Sequence, residues 1–302
     1  STGGGTVVLG QAAFDAGIHT VVLDGGPLTL DASAFPGELT IFDSDASNTI
    51  TGPAEYASVI KMAGGDDIVT TGSANDTVEI NDGDLTFADT ITDNGGTDAV
   101  VFQNGAAGNA GGIAAAVDLT NVTGIEEYTF AEDGAGGTDT HSLTFRGGDV
   151  DTLTQITVDA SGVTDTHDSL SLTLEATVDV DYAFNITGTS GDDLFVKEGV
   201  NNNNLVISGA DGDDILRIDG GELGSNVLFD GGEGDETDGD AVQLSGGVFR
   251  DDDFVSLVDG TVERLITVDG VQMDAVLGEE AASAGISKIE MGDDGGTVLL
   301  DP

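Results

Sequence analysis

The stretch SGADGDDILRIDGG, residues 208–221, places Asp211, Asp213 and Asp214 within four positions, directly before the apolar run Ile215-Leu216-Arg217-Ile218. Like charges this close repel, so a chain that folds them onto a strand end needs something to take up the charge. A hard cation does so: calcium takes about six to eight oxygen ligands at roughly 2.3–2.6 Å and accepts mixed carbonyl and carboxylate sets. Glycine lets the backbone turn its carbonyls onto such an ion, and the ion's charge offsets the carboxylate repulsion.

The stretch is one of several. Against the pattern G-G-x-G-x-D-x-U-x, where U is a large apolar residue, GADGDDIL (209–216) and GTSGDDLF (188–195) each lack a single glycine. MAGGDDIV (62–69) keeps the second half of the pattern, and TGSANDTV (71–78) is degenerate. GGEGDETDGDAV (231–242) starts as the motif and then adds a few residues before Asp240. Asp67 and Asp76 stand nine residues apart, as do Asp89 and Asp98. The candidate ligands are therefore Asp67, Asp76, Asp89 and Asp98, then Gly188, Gly191 and Asp193, then Gly209, Asp211, Gly212, Asp213 and Asp214, and finally Gly231, Gly234, Asp235 and Asp240.

These repeats resemble the RTX, or haemolysin-type, calcium-binding repeats. The resemblance implies that the glycine loop makes a turn and the apolar residue a short inward-pointing strand. It further implies calcium between successive turns, held by loop carbonyls and Asp carboxylates. It covers roughly residues 62–102 and 188–242, and the copies are not contiguous, which favours a few isolated sites over one continuous row of ions. Spacer segments such as LTLDASAFPGELTI and DLTNVTGIEEYTF resemble those of bacterial surface-layer proteins and large RTX-type surface proteins.

The elements that must position these residues are short. Gly numbers 47 and Pro only 4, and four- or five-residue β-branched runs recur between Gly, Asp and Asn, the signature of many tight turns joining short strands. Such runs include Leu39–Phe42, Glu127–Phe130, Leu170–Leu174 and Ala241–Leu244, and the helix candidates are confined to 54–63 and 278–285. The expected fold is all-β, with right-handed parallel β-solenoid or β-roll segments joined by Gly/Asp turns. LTLDASAF (28–35) resembles ITVDASGV (156–163), GGTDAVVFQNG (95–105) resembles TDGDAVQLSGG (237–247), and TGIEEYTF (123–130) resembles DGTVERLITV (259–268). The preserved order reads as a tandem duplication, with a first unit over 1–130 carrying degenerate repeats and a second over 131–302 carrying the better ones.

Composition excludes several functions. With 57 Asp+Glu against 7 Lys+Arg, the formal net charge is −50, which opposes nucleic acid and anionic lipid and destabilises any compact state that cations do not screen. Cysteine is absent, so disulfides do not stabilise the chain. No apolar run of about 18 residues exists to span a membrane. The start STGGGTVVLG, without Met or a signal peptide, reads as a processed chain or a piece of a longer one. His19, His141 and His167 are scattered, with no H-E-x-x-H and no G-x-S-x-G, so no enzyme is expected.

The expectation is an extracellular, cell-surface structural protein that folds on meeting calcium and self-assembles into a surface layer or filament. The alternative is an adhesin or a calcium-binding module of a larger RTX-type secreted protein. Further copies of the chain are the expected partners, and a cell-surface glycan is a candidate anchor. A handful of calcium ions would neutralise on the order of ten charges, far fewer than 50, so saline surroundings or further bridging cations are also expected.

Overall fold

The structure, a computed structural model, describes residues 4–300 apart from 82–83, 104–116, 120, 132–137, 139, 147–152, 176–182, 200–203, 220, 225, 233, 235 and 292–295. It is an all-β solenoid of about eleven stacked coils. Among the described residues every strand pairing is parallel, from Gly5↔Leu28 at one end to Leu277↔Leu300 at the other.

Each coil contributes one strand to each of two sheets, and the pair of sheets changes along the chain. The first sheet holds six strands, including Leu28–Asp31, Thr49–Thr51, Ile68–Thr70 and Thr90–Thr92. It alternates in sequence with a ten-stranded second sheet that runs from Thr20–Val22 to Val227–Gly232. The first sheet ends at Val122–Thr123, and an eight-stranded third sheet, which starts at Val117–Asp118, takes its place in alternation with the second. Its strands include Ser169–Leu174, Leu194–Lys197, Ile215–Asp219 and Ala241–Gly246. The last coils alternate between the third sheet and a three-stranded fourth one ending at Gly296–Leu300.

Side chains alternate in and out along most of the longer strands. In Ser169–Leu174 the three leucines point inward and the hydroxyl residues outward. The inward side chains make one continuous apolar core from Leu9 to Ala284. Aromatic rings meet within it: Phe102 stacks on Phe130 of the next coil at 4.9 Å, and Phe145 makes edge-to-face contacts across the core with Tyr128 at 5.2 Å and Phe184 at 5.4 Å.

The helix expected over 278–285 is present as Glu279–Ala284, closed by Gly285 at φ 104°. The helix expected over 54–63 is not. That segment carries the strand Ser58–Lys61, paired on both sides, with Ser58 and Ile60 buried and Val59 and Lys61 facing out. Its alanines favour a helix, but the β-branched pair alternates with period two and fills a strand slot between neighbouring coils, and pairing overrides propensity.

The matched sequence segments share local geometry. In both DAS stretches the Asp side chain accepts the N–H and hydroxyl of the Ser two residues on, at 3.0 and 2.6 Å for Asp31–Ser33 and 2.9 and 2.6 Å for Asp159–Ser161. The next turn also closes alike, by Phe35 N–H to Ala32 and Val163 N–H to Ala160.

Candidate metal centre

Seven of the predicted aspartates, Asp67, Asp76, Asp89, Asp98, Asp193, Asp214 and Asp240, occupy one recurring place, the residue just before a strand. There the backbone must leave a tight turn and enter a sheet, and its N–H faces the neighbouring coil without a carbonyl opposite. An Asp side chain of the following coil supplies the acceptor, since a buried N–H left unpaired costs about 1–3 kcal/mol.

Three such ladders run along the solenoid axis. In the first, Leu28 donates to the Asn48 side chain, Asn48 to Asp67 Oδ1 and Asp67 to Asp89 Oδ1, each at 2.7 Å. In the second, Ser58 donates to Asp76 Oδ1 and Asp76 to Asp98 Oδ1, both at 2.5 Å, and Asp98 donates to Glu126 at 2.9 Å. In the third, Leu170 donates to Asp193 at 2.6 Å, Asp193 to Asp214 at 2.8 Å, Asp214 to Asp240 at 2.6 Å and Asp240 to Glu263 at 2.9 Å.

This arrangement explains the spacings. Asp67 and Asp89, like Asp76 and Asp98, are 22 residues apart and stack in successive coils. The nine residues from Asp67 to Asp76 instead lead from a strand of the first sheet to one of the second, about half a coil. The 21 residues between Asp193 and Asp214 are likewise one full coil, so the two best motif copies are direct neighbours.

Glycine keeps the third ladder tight. A Cβ on Gly188 would stand 1.9 Å from Asp193 Oδ2 and 2.4 Å from the Gly209 carbonyl oxygen. One on Gly209 would stand 1.9 Å from Asp214 Oδ2 and 2.4 Å from the Gly231 oxygen, and one on Gly231 would stand 2.1 Å from Asp240 Oδ2 and 2.2 Å from the Thr261 oxygen. Thus each carboxylate packs on the glycine that opens its own turn, with a carbonyl of the next coil beside it. Gly191 and Gly212 pack against backbone of the preceding coil, at Asp168 and Gly191 respectively, and Gly234 packs against Asp211, chiefly its side chain.

The remaining predicted residues are placed differently. Asp213 lies off the ladder, where its carboxylate accepts the N–H groups of Thr237, Asp238 and Gly239 at 2.9–3.0 Å. It thereby clamps the residues added before Asp240. Burial works against its charge, yet those N–H groups and Arg264 hold it below the usual carboxylate range. Asp211 is exposed at the turn, and Asp235 lies outside the described residues. The pattern also missed Asn48, Ser58, Glu126 and Glu263, which take part in the ladders although none of them is the Asp that the motif requires.

The ladder carboxylates divide into two kinds. Asp76, Asp89 and Asp193 are satisfied at both oxygens, because Oδ2 accepts the N–H of Gly72 at 3.0 Å, of Thr86 at 2.6 Å and of Thr189 at 2.7 Å respectively. In Asp67, Asp98, Asp214 and Asp240, Oδ2 is buried with no hydrogen-bond partner. Burial, reinforced by neighbouring carboxylates, pushes Asp67 and Asp240 up to about 7, Asp98 to about 8 and Asp214 to about 9. Asp193 rises to about 7 through burial despite its hydrogen bonds.

A cation fits this donor set. The unpartnered atoms are all carboxylate oxygens, carbonyl oxygens flank those of the third ladder, and such hard ligands suit calcium better than a transition metal. In this setting Asp214 and Asp240 offer oxygen from successive coils, with the Gly231 and Thr261 carbonyls beside them. No protein-family model, curated protein or solved structure matches this chain.

Proposed function

We propose that this chain is a calcium-dependent structural protein of an extracellular surface array. The observation that carries the reading is the set of buried, unpartnered Oδ2 atoms on Asp67, Asp98, Asp214 and Asp240. As carboxylates they oppose folding, because desolvated charge without a partner is costly. Calcium beside them removes the penalty, so its binding free energy becomes folding free energy. The resemblance of the repeats to RTX sequences supports the choice of calcium.

In low calcium the net charge of −50 favours the open chain. Where calcium is near millimolar, sites with dissociation constants of about 10⁻⁴–10⁻³ M fill, and the coils close on one another. The excess acid left on the surface then calls for further cations between copies, which links assembly to the same ion.

The test is a calcium titration of the whole chain, followed by circular dichroism and thermal melting, with electron microscopy of the calcium-loaded protein. The expected result is a large rise in melting temperature between EGTA and millimolar calcium, with ordered sheets or filaments that chelator disperses. An unchanged melting temperature overturns the calcium role. A calcium-folded chain that stays monomeric at every calcium concentration overturns the array.

A further inference from the structure

We infer that two tricarboxylate cation sites lie where the second and third ladders end, one built from Asp76, Asp93 and Asp98 and the other from Glu236, Asp240 and Glu263. The inference rests on the calcium reading above and goes beyond it by naming two particular sites and ligands that lie outside the Asp position of the repeat.

In each trio the three residues bring one carboxylate oxygen apiece within 4.8 Å of one another. Acidic clusters are common on a protein this acidic, so proximity alone assigns nothing. The second observation is that each trio contains a ladder Asp that is completely buried, Asp98 or Asp240, with an Oδ2 lacking any hydrogen-bond partner. The other oxygen of each is already used, by the N–H of Asp76 and of Asp214 respectively.

The two sites are also built alike. Asp98 and Asp240 fall at the same place in the segments 95–105 and 237–247. Each donates its N–H at 2.9 Å to the Glu that closes its ladder, Glu126 or Glu263. Each has an extra acid a short step upstream in its own turn, Asp93 or Glu236. Asp93 stands where the repeat has its first glycine, as in Gly188 and Gly209, and Glu236 belongs to the added residues before Asp240. The first departure exchanges a glycine for one more carboxylate, and the second inserts one. Asp93 is held in place by the Thr71 hydroxyl and by the Gly95 N–H at 2.5 Å, and Glu263 by the Asp240 N–H.

The third partner differs, being Asp76 of the preceding coil at one site and Glu263 of the following coil at the other. Three carboxylates in reach of one ion suit a hard divalent cation with oxygen ligands, and charge count is one of the features that set calcium affinity. These two sites fill before the ladder position at Asp214, where a single Asp oxygen is unpartnered, and before Asp67, where only the two carboxylates of Asp67 and Asp43 leave an oxygen unpartnered.

Isothermal titration of the full chain with calcium tests this, using Asp93→Asn, Glu236→Gln and the exposed control Glu55→Gln. Each of the first two is expected to remove one of the two tightest sites, or to weaken it at least tenfold, while Glu55→Gln binds as the parent does. Glu236→Asp, which keeps the charge, is expected to retain most of the affinity. A variant that folds in excess calcium and binds as the parent does overturns the site to which it belongs. If Asp93→Asn does not fold, terbium luminescence of the parent, competed with calcium, replaces it: fewer than two tight sites overturns the pair. A parent that binds no calcium at all fails the calcium reading itself, and is thereby distinguished from loss of these two sites.

Discussion

Asp240 reaches back across one coil to accept the backbone N–H of Asp214 at 2.6 Å, while its second oxygen stays buried and unpartnered. One side chain therefore does a structural task with Oδ1 and keeps Oδ2 without a hydrogen-bond partner, the atom that the proposed ion would use. The two tasks separate by mutation.

Asp214 is the place to separate them. Asp214→Asn keeps an oxygen for the Asp193 N–H, and Asp214→Ala removes it. At pH 6 in EGTA, Asp214→Ala is expected to cost about 1–3 kcal/mol, with Asp214→Asn close to the parent. In millimolar calcium at pH 8 both are expected to lose part of the calcium-induced stabilisation. Urea denaturation under the two conditions makes the measurement.

The pH dependence follows from the raised aspartates. Asp67, Asp193 and Asp240 titrate near 7, Asp98 near 8 and Asp214 near 9, against roughly 3.9 in an unfolded chain. Between those values the folded state binds more protons than the unfolded one. Their contribution to stability is therefore full below about pH 4 and is lost as pH rises through 7 to 9. In EGTA, stability is expected to fall steadily from pH 5 to pH 9. Calcium should flatten that slope, since metal binding displaces the same protons. Denaturant midpoints across this range, with and without calcium, check both parts.

Glycine substitutions should differ by position. Gly209→Ala places a methyl 1.9 Å from Asp214 Oδ2 and is expected to cost at least the ~1–3 kcal/mol of an overpacked interior, with calcium affinity reduced. Gly26→Ala meets nothing within 4 Å and has an ordinary φ, so it should be silent. Ala210, beside Gly209, sits at φ 92°, where the repeat has its second glycine. Ala210→Gly is expected to stabilise by about 1 kcal/mol, because it relieves backbone strain. Thermal melts of the three variants give the order.

Lys197 fills an inward position of the third sheet and pairs with Glu222 at 2.5 Å, with side-chain exposures of 1% and 8%. Lys197→Met leaves Glu222 buried without its partner and is expected to cost about 3–5 kcal/mol. The double variant K197M/E222M should recover most of that loss. Equilibrium unfolding of single and double variants tests the pair without reference to any metal.

The sequence showed strands well where they are long and alternate cleanly, and less well where they are short. Leu39–Phe42 and Glu127–Phe130 are legible to the residue, whereas Thr49–Thr51 and Thr90–Thr92 escape notice because three residues cannot display a period. Those short strands exist because a coil above and a coil below complete their hydrogen bonding. The candidate site divides in the same way. Asp193 and Asp214 stand out because glycine must adjoin them in the chain. Asn48, Ser58, Glu126 and Glu263 are defined only by facing a neighbouring coil about 20 residues or more away, and no local pattern marks that.

Every ladder bond has the same polarity. The N–H belongs to the earlier coil and the oxygen to the later one, from Leu28 and Asn48 through to Asp240 and Glu263. A coil is thus finished only by its successor. A chain folding vectorially from its N-terminal side would always carry an unfinished front, with a bare amide at its leading Asp. Growth from the C-terminal side would find each acceptor already waiting. The order in which the coils emerge therefore decides whether the growing edge is an exposed liability or a ready template.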